Sequence, residues 1–176
     1  MAKAGETLEP CIYVACLAAY NAGFLHGVWI EVEDDGDAVW AAIKAMLQAS
    51  PIPMAEEYAI HDYEDFGGLE IAEYASIEKV IAIGAFLRER GKLGAMLAAH
   101  FGGDIEQAGE ALEDSYRGVF ESLADCFQAF TEETTTIPEN LRLYIDYEAM
   151  ARDAELSGDV FTIKTAHDEV HVFWGR

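Results

Sequence analysis

Two histidines four residues apart with acids between them, His167-Asp-Glu-Val-His171, form the pattern in this chain that most resembles a chemical motif. A zinc-peptidase helix needs His-Glu-x-x-His, with both imidazoles on one metal and the glutamate as general base. Here Asp168 stands where the glutamate belongs, and Glu169 lies one residue late. The surrounding residues read as a turn and a strand, where residues four apart stand ~13 Å from each other at ~3.3 Å per residue. That separation is too great for two ligands of one zinc ion, whose bonds are ~2 Å long. The pair is read as one turn and one strand histidine, and no metal or other cofactor is expected.

The other motifs fail on similar grounds. Asp34-Asp35-Gly36-Asp37 suggests calcium, but an EF-hand loop counted from Asp34 needs a glutamate at its twelfth position, where Ala45 stands. A turn with a helix cap is the better reading. Gly67-Gly68 and Gly102-Gly103 are isolated pairs that extend into neither a phosphate-binding loop nor a dinucleotide fingerprint. The serines and cysteines lack the context of a nucleophile elbow or a cysteine-protease signature. With 33 carboxylates present, a chance acid–base pair carries little information, so the chain is read as a non-enzyme.

The carboxylates are more informative as a population. Asp and Glu number 33 against 11 Lys and Arg in 176 residues, a formal charge of -22. The hydrophobic fraction of 52% is ample for a buried core, so the acidity does not signal disorder. Nine acids face two bases in residues 1–60, ten face four in 61–110, and fourteen face five in 111–176. An acidic tail would concentrate the excess at one end; this chain spreads it everywhere. Such a charge disfavours direct binding to nucleic acid or anionic lipid and fits a basic groove on another protein. There is no signal-peptide pattern and no apolar run approaching the ~18–20 residues of a membrane span, so a cytoplasmic protein is expected. Cys11, Cys16 and Cys126 lie in apolar segments and are read as buried free thiols of a reducing compartment.

Glu106, Glu110, Glu113 and Asp114 fall at helical spacings of three and four, with Ile105, Ala108 and Leu112 left for the buried side. Neighbouring Cβ atoms at that spacing are ~5–6 Å apart, comparable with the few Å between phosphates along a DNA strand. Like charges so placed mildly destabilise a helix, so something other than helix stability favours them. One such face alone reads as ordinary solvated surface; an excess in every segment reads as a designed charge distribution. The candidate phosphate-mimicking residues are Asp34, Asp35, Glu70, Glu73, Glu106, Glu110, Glu113, Asp114, Glu132, Glu133, Asp153 and Glu155.

The elements that must carry these acids can be read in order. Residues 11–17 form an apolar strand, Tyr20-Asn21-Ala22-Gly23 a turn, and residues 28–32 a second strand. Asp37 caps a helix carrying Val39, Trp40, Ile43, Met46 and Leu47, which Pro51 and Pro53 terminate; residues 58–63 are a third strand. Ser76 caps a helix ending at Gly91, a short helix spans residues 93–101, and Asp104 with Gln107 opens another that runs to about Ser115. Residues 116–121 form a strand, and Ser122 with Asp125 opens a helix. Pro138 suits the first turn of a helix, and Asp146 begins a further one. Residues 160–164 and 169–174 make a hairpin. The expected fold is α+β and elongated, in three small modules. These are an N-terminal antiparallel sheet with a helix (1–66), a central helical module (67–115) and a C-terminal mixed module (116–176).

Cys11-Ile-Tyr-Val-Ala-Cys-Leu-Ala-Ala-Tyr-Asn-Ala-Gly followed by His26-Gly-Val-Trp-Ile resembles the opening of ArdA antirestriction proteins. Ala59-Ile-His-Asp-Tyr-Glu-Asp-Phe, Leu93-Gly-Ala-Met-Leu and His100-Phe-Gly-Gly-Asp resemble the family's middle. Tyr144-Ile-Asp-Tyr-Glu-Ala-Met-Ala-Arg-Asp, Leu156-Ser-Gly-Asp-Val-Phe-Thr-Ile and Val170-His-Val-Phe resemble its C-terminal part. The ordered set spans nearly the whole chain, which departs in its N-terminal extension and in Cys11 and Cys16. The resemblance implies three domains on a curved molecule and a homodimer formed through the C-terminal domain. It further implies imitation of bent B-form DNA in the DNA-binding groove of type I restriction-modification enzymes, at the methyltransferase core. It places such proteins on mobile genetic elements. The expected mechanism is competitive occlusion, with no direct nucleic-acid binding and no membrane. Two rivals fit the acidity: a salt-adapted globular protein of unrelated function, and a low-affinity calcium-binding protein.

Overall fold

Cys11–Cys16 organises the first half of the chain. In the computed structural model, which describes residues 7–175, this run is β1, the central strand of a three-stranded antiparallel sheet. β2 (Gly27–Glu31) and β3 (Tyr58–Glu64) flank it in the order β2-β1-β3. Pairing on both edges satisfies its backbone groups, so an apolar strand can be buried here. Alternation then sorts the side chains: Ile12 and Val14 are fully buried, while Tyr13 between them is only half-buried.

The residue contacts divide the chain into two compact units, the first ending at Ile105 and the second beginning at Glu106. In the first, α1 (Leu17–Asn21) is a short helix after β1, and α2 (Gly36–Gln48) packs against β2 through Val39, Ile43 and Met46. The cap of α2 is Asp35 rather than Asp37: Asp35 is extended and its carboxylate accepts the Asp37 N–H at 3.0 Å. Gly36 raises no barrier to starting the helix there, and Asp37 lies in the first turn, where an acid suits the helix dipole. α3 (Ile77–His100) opens at Ser76, whose hydroxyl accepts the Lys79 N–H at 3.2 Å. It is kinked at Gly91, where φ is 58° and ψ is -150°, a conformation closed to residues with a Cβ. The helix ending at Gly91 and the short helix after it, both legible in the sequence, are the two arms of this kinked rod.

All of α4 (Ile105–Glu110) but its first residue belongs to the second unit, and it passes directly into a π-helical turn, Ala111–Ser115. β4 (Tyr116–Phe120), β5 (Val160–Ala166) and β6 (Glu169–Trp174) form an antiparallel sheet in the order β4-β6-β5. α5 (Leu123–Thr134) and α6 (Tyr147–Ser157) close its core, where Leu123, Cys126 and Ala151 meet Val160, Val170 and Val172. Ser122 caps α5 by accepting the Asp125 N–H at 3.1 Å, and Asp146 caps α6 by accepting the Ala149 N–H at 2.9 Å. Gly158, left-handed at φ 79°, ends α6.

Residues 135–146 depart from the expected helix after Pro138. The Leu141 N–H donates to the Pro138 carbonyl at 2.9 Å in a turn, followed by one 3-10 turn, Arg142–Tyr144. A short helix needs an apolar face to pack, and here Leu141, Leu143 and Tyr144 remain 50%, 93% and 84% exposed. The fold is α+β with two antiparallel sheets, and its second sheet is built from β4 together with the C-terminal hairpin.

Candidate functional site

All twelve candidate acids are exposed. They divide between the units: Asp34, Asp35, Glu70 and Glu73 lie in the first and the other eight in the second. Asp34 and Asp35 occupy the β2–α2 loop. Arg88 of α3 reaches this loop, donating to the Val32 carbonyl and pairing with the Asp34 carboxylate. Asp35 is engaged as the cap of α2. Glu70 and Glu73 lie in the connection from β3 to α3, and Glu73 approaches the His61 imidazole to 3.7 Å. The Glu73 charge beside Tyr74 pushes that phenol's pKa above its usual value.

In the second unit, Glu106 and Glu110 share α4, while Glu113 and Asp114 sit on the π-helical turn. The wider turn interrupts the single α-helical row expected from spacing, although all four side chains face solvent. Glu132 and Glu133 occupy the last turn of α5, and Asp153 and Glu155 lie on α6. Glu132 accepts from the Gln128 amide at 3.2 Å and lies 4.0 Å from Arg142, which also pairs with Glu139 at 3.5 Å. The Glu155 carboxylate accepts from the Thr162 hydroxyl at 3.1 Å.

A physical distinction separates these acids. Asp35, Asp125 and Asp146 cap helices or occupy a first turn, so local stability explains them. Glu132, Glu133 and Glu155 stand in final turns, where the helix dipole opposes a negative charge. The dipole does not favour acids at those positions, although Glu132 and Glu155 each have a local polar partner.

The geometry adds acids that the sequence reading passed over. Glu9, Glu31 and Glu33 line the same cleft of about 660 Å³ as Asp34, Asp35 and Arg88. Glu31 and Glu64 lie on either side of Cys11 in the strand register, and the Asp65 carboxylate accepts the Glu9 N–H. The Cys11 thiol is pushed up by burial first, then by the charges of Glu64, Asp65 and Glu31, so it stays protonated and unreactive. The signal was the period of two: Asp62 with Glu64 puts two acids on one face of β3.

His167 lies in the β5–β6 turn and His171 on β6. Both nitrogens of His171 are engaged, Nδ1 with the Tyr116 hydroxyl at 2.8 Å and Nε2 with the Thr165 hydroxyl at 3.0 Å. Thr165 in turn donates to Glu169 at 3.0 Å. Among the described residues no three His, Cys, Asp or Glu are grouped to hold a metal ion. No helix of the described residues is long and apolar enough to cross a membrane. What the arrangement offers is charge, displayed on both units.

The sequence profile of the antirestriction protein family ArdA matches residues 12–169. No curated protein matches the chain.

The histidine network makes the stability of the second unit pH-dependent. Burial holds the His171 pKa below its usual 6.5, and the Glu169 charge only partly offsets this. The unfolded chain therefore takes up a proton that the folded one resists, so stability is retained above about pH 6.5 and falls as the pH drops below it. Urea unfolding of the wild type and His171→Gln at about pH 7 and about pH 5 checks this. The wild type should lose more stability between the two than the variant does; equal losses would show that His171 titrates alike in both states.

Proposed function

The chain belongs to the ArdA antirestriction family, and from that premise we propose that it is a DNA mimic that competes for the DNA-binding groove of type I restriction-modification enzymes. The observation that carries this reading is the placement of the carboxylates. Every acid among the described residues is exposed except Asp104 and Glu169, which are half-buried. Exposed carboxylates stand in for phosphates, and the arginines and lysines of the groove form charge-assisted hydrogen bonds with them. The protein acts by occupying the groove at the methyltransferase core and has no catalytic step of its own.

The proposed contacts are Asp34, Asp35, Glu70, Glu73, Glu106, Glu110, Glu113, Asp114, Glu132, Glu133, Asp153 and Glu155. Glu132, Glu133 and Glu155 lead this set because the dipole of their own helices disfavours them. The stretches 1–66, 67–115 and 116–176 are treated as three segments of the mimic, each with its own share of acid.

We further propose a homodimer through the last of these stretches. Leu143, Tyr144 and Leu156 are 93%, 84% and 81% exposed, and apolar side chains displayed in one unit are supports for self-association. Light scattering at micromolar concentration should give twice the chain mass; a monomer mass throughout would exclude the dimer.

Added to a purified type I methyltransferase bound to its DNA site, the protein should displace the DNA. Its affinity for the DNA-free methyltransferase, measured directly, should fall steeply as salt rises from about 50 to about 300 mM, because both charged surfaces are screened. A salt-adapted protein would instead unfold at the low-salt end. Direct binding that is indifferent to salt would point to an apolar interface and contradict the mimic.

A further inference from the structure

The outward face of the first sheet carries an aromatic pair among its acids. The strand register sets Tyr13 opposite Trp29 on β2 and Asp62 on β3, and sets Cys11 opposite Glu31 and Glu64. Directly paired residues share a face, so this side of the sheet displays Trp29 and Tyr13 with Glu31, Asp62 and Glu64 around them. The ring centroids are 5.5 Å apart with planes tilted by 52°, and Trp29 remains 44% exposed. Glu31, Asp62 and Glu64 are exposed as well. One Asp62 oxygen accepts the Tyr63 N–H at 2.8 Å.

The platform depends on a glycine. Gly27 is two residues from Trp29 on the same face, and a Cβ there would lie 2.7 Å from Cζ of Tyr13. The missing side chain lets the Tyr13 ring lie across β2 and support the indole. The core does not call for these rings, since Ile12, Val14 and Ile30 already fill the opposite face. An exposed indole that shares its sheet face with three carboxylates suits one kind of group: a planar cation with several donors.

We propose that this sheet face is a docking surface for arginine side chains of a protein partner. The guanidinium stacks on Trp29 while its N–H donors reach the carboxylates of Glu31, Asp62 or Glu64. Arginine is favoured over lysine because its flat, weakly hydrated cation can stack and donate at once, whereas an ammonium is compact and strongly hydrated. A phosphate has no aromatic face, so an arginine would meet this surface in a way that it does not meet the DNA backbone. The identity of the partner, a protein with an arginine-bearing DNA groove, rests on the antirestriction reading.

The test needs no restriction enzyme, so its failure is separable from failure of that reading. The full-length protein, labelled with nitrogen-15, is titrated at low salt with tetra-arginine amide and, separately, with tetra-lysine amide. Tetra-arginine should bind this face roughly two- to fivefold more tightly. The Trp29 indole N–H should move more than those of Trp40 and Trp174. Trp29→Leu should abolish the preference, Trp29→Phe should keep most of it, and Glu31→Gln with Glu64→Gln should weaken both peptides. Amide spectra of each variant report whether the fold is intact. Equal affinity for the two peptides, or shifts spread over the acids of both units without a maximum at Trp29, would overturn the proposal.

Discussion

Thirty-three carboxylates share this chain with 11 lysines and arginines, three acids for every such cation. An unpaired carboxylate is too costly to bury, and each must therefore stay in water. That constraint shapes both units. Their cores contain almost no polar groups; Ser115 is the one buried polar residue among the described residues. Apolar strands are buried as sheet centres, and short helices present one narrow apolar face each, leaving the remainder to charge. Mutual repulsion among the acids then works against the fold in dilute salt, and a cationic partner relieves it.

Where polar side chains serve the backbone, the sequence was legible. Ser76, Ser122 and Asp146 were readable as caps because a cap-forming side chain directly precedes an apolar periodicity, and each accepts the N–H of a residue three positions on. The five strands on which the two sheets are centred and flanked, apart from β4, combine β-branched residues with clear turn signals. Less was legible where several residues could do the same work. Asp34, Asp35 and Asp37 are all able caps, and it is Asp35 whose carboxylate accepts the Asp37 N–H. Pro138 is compatible with both a helix start and a turn; the absence of a buried face decided for the turn. The π-helical turn at Ala111–Ser115 leaves no signature in residue spacing.

The candidate acids were legible as a population and less so as a pattern. Composition shows an excess in every segment, but it does not rank residues. Helix position does: Asp35 and Asp146 are explained by capping, while Glu132, Glu133 and Glu155 sit against their helix dipoles. Strand register adds Glu31, Asp62 and Glu64, whose common face with Trp29 appears only once β1 is known to lie between β2 and β3. The chain thus carries two kinds of acid, those that build elements and those that elements merely display. Family membership and the second kind of acid together support antirestriction by imitation of DNA.

The central claim is that inhibition is distributed over many carboxylates, and the inhibition constant against a type I methyltransferase, measured as acids are removed, tests it most directly. An exposed ion pair is worth only ~0–1 kcal/mol, so Glu106→Gln alone should leave inhibition nearly intact. Neutralising Glu106, Glu110, Glu113 and Asp114 together should weaken it clearly, and adding Glu132→Gln with Glu133→Gln should weaken it further by a roughly independent factor. Circular dichroism should show the fold retained throughout, since each change relieves like-charge repulsion. Complete loss of inhibition from one substitution in a folded protein would contradict the account and point to a single essential site.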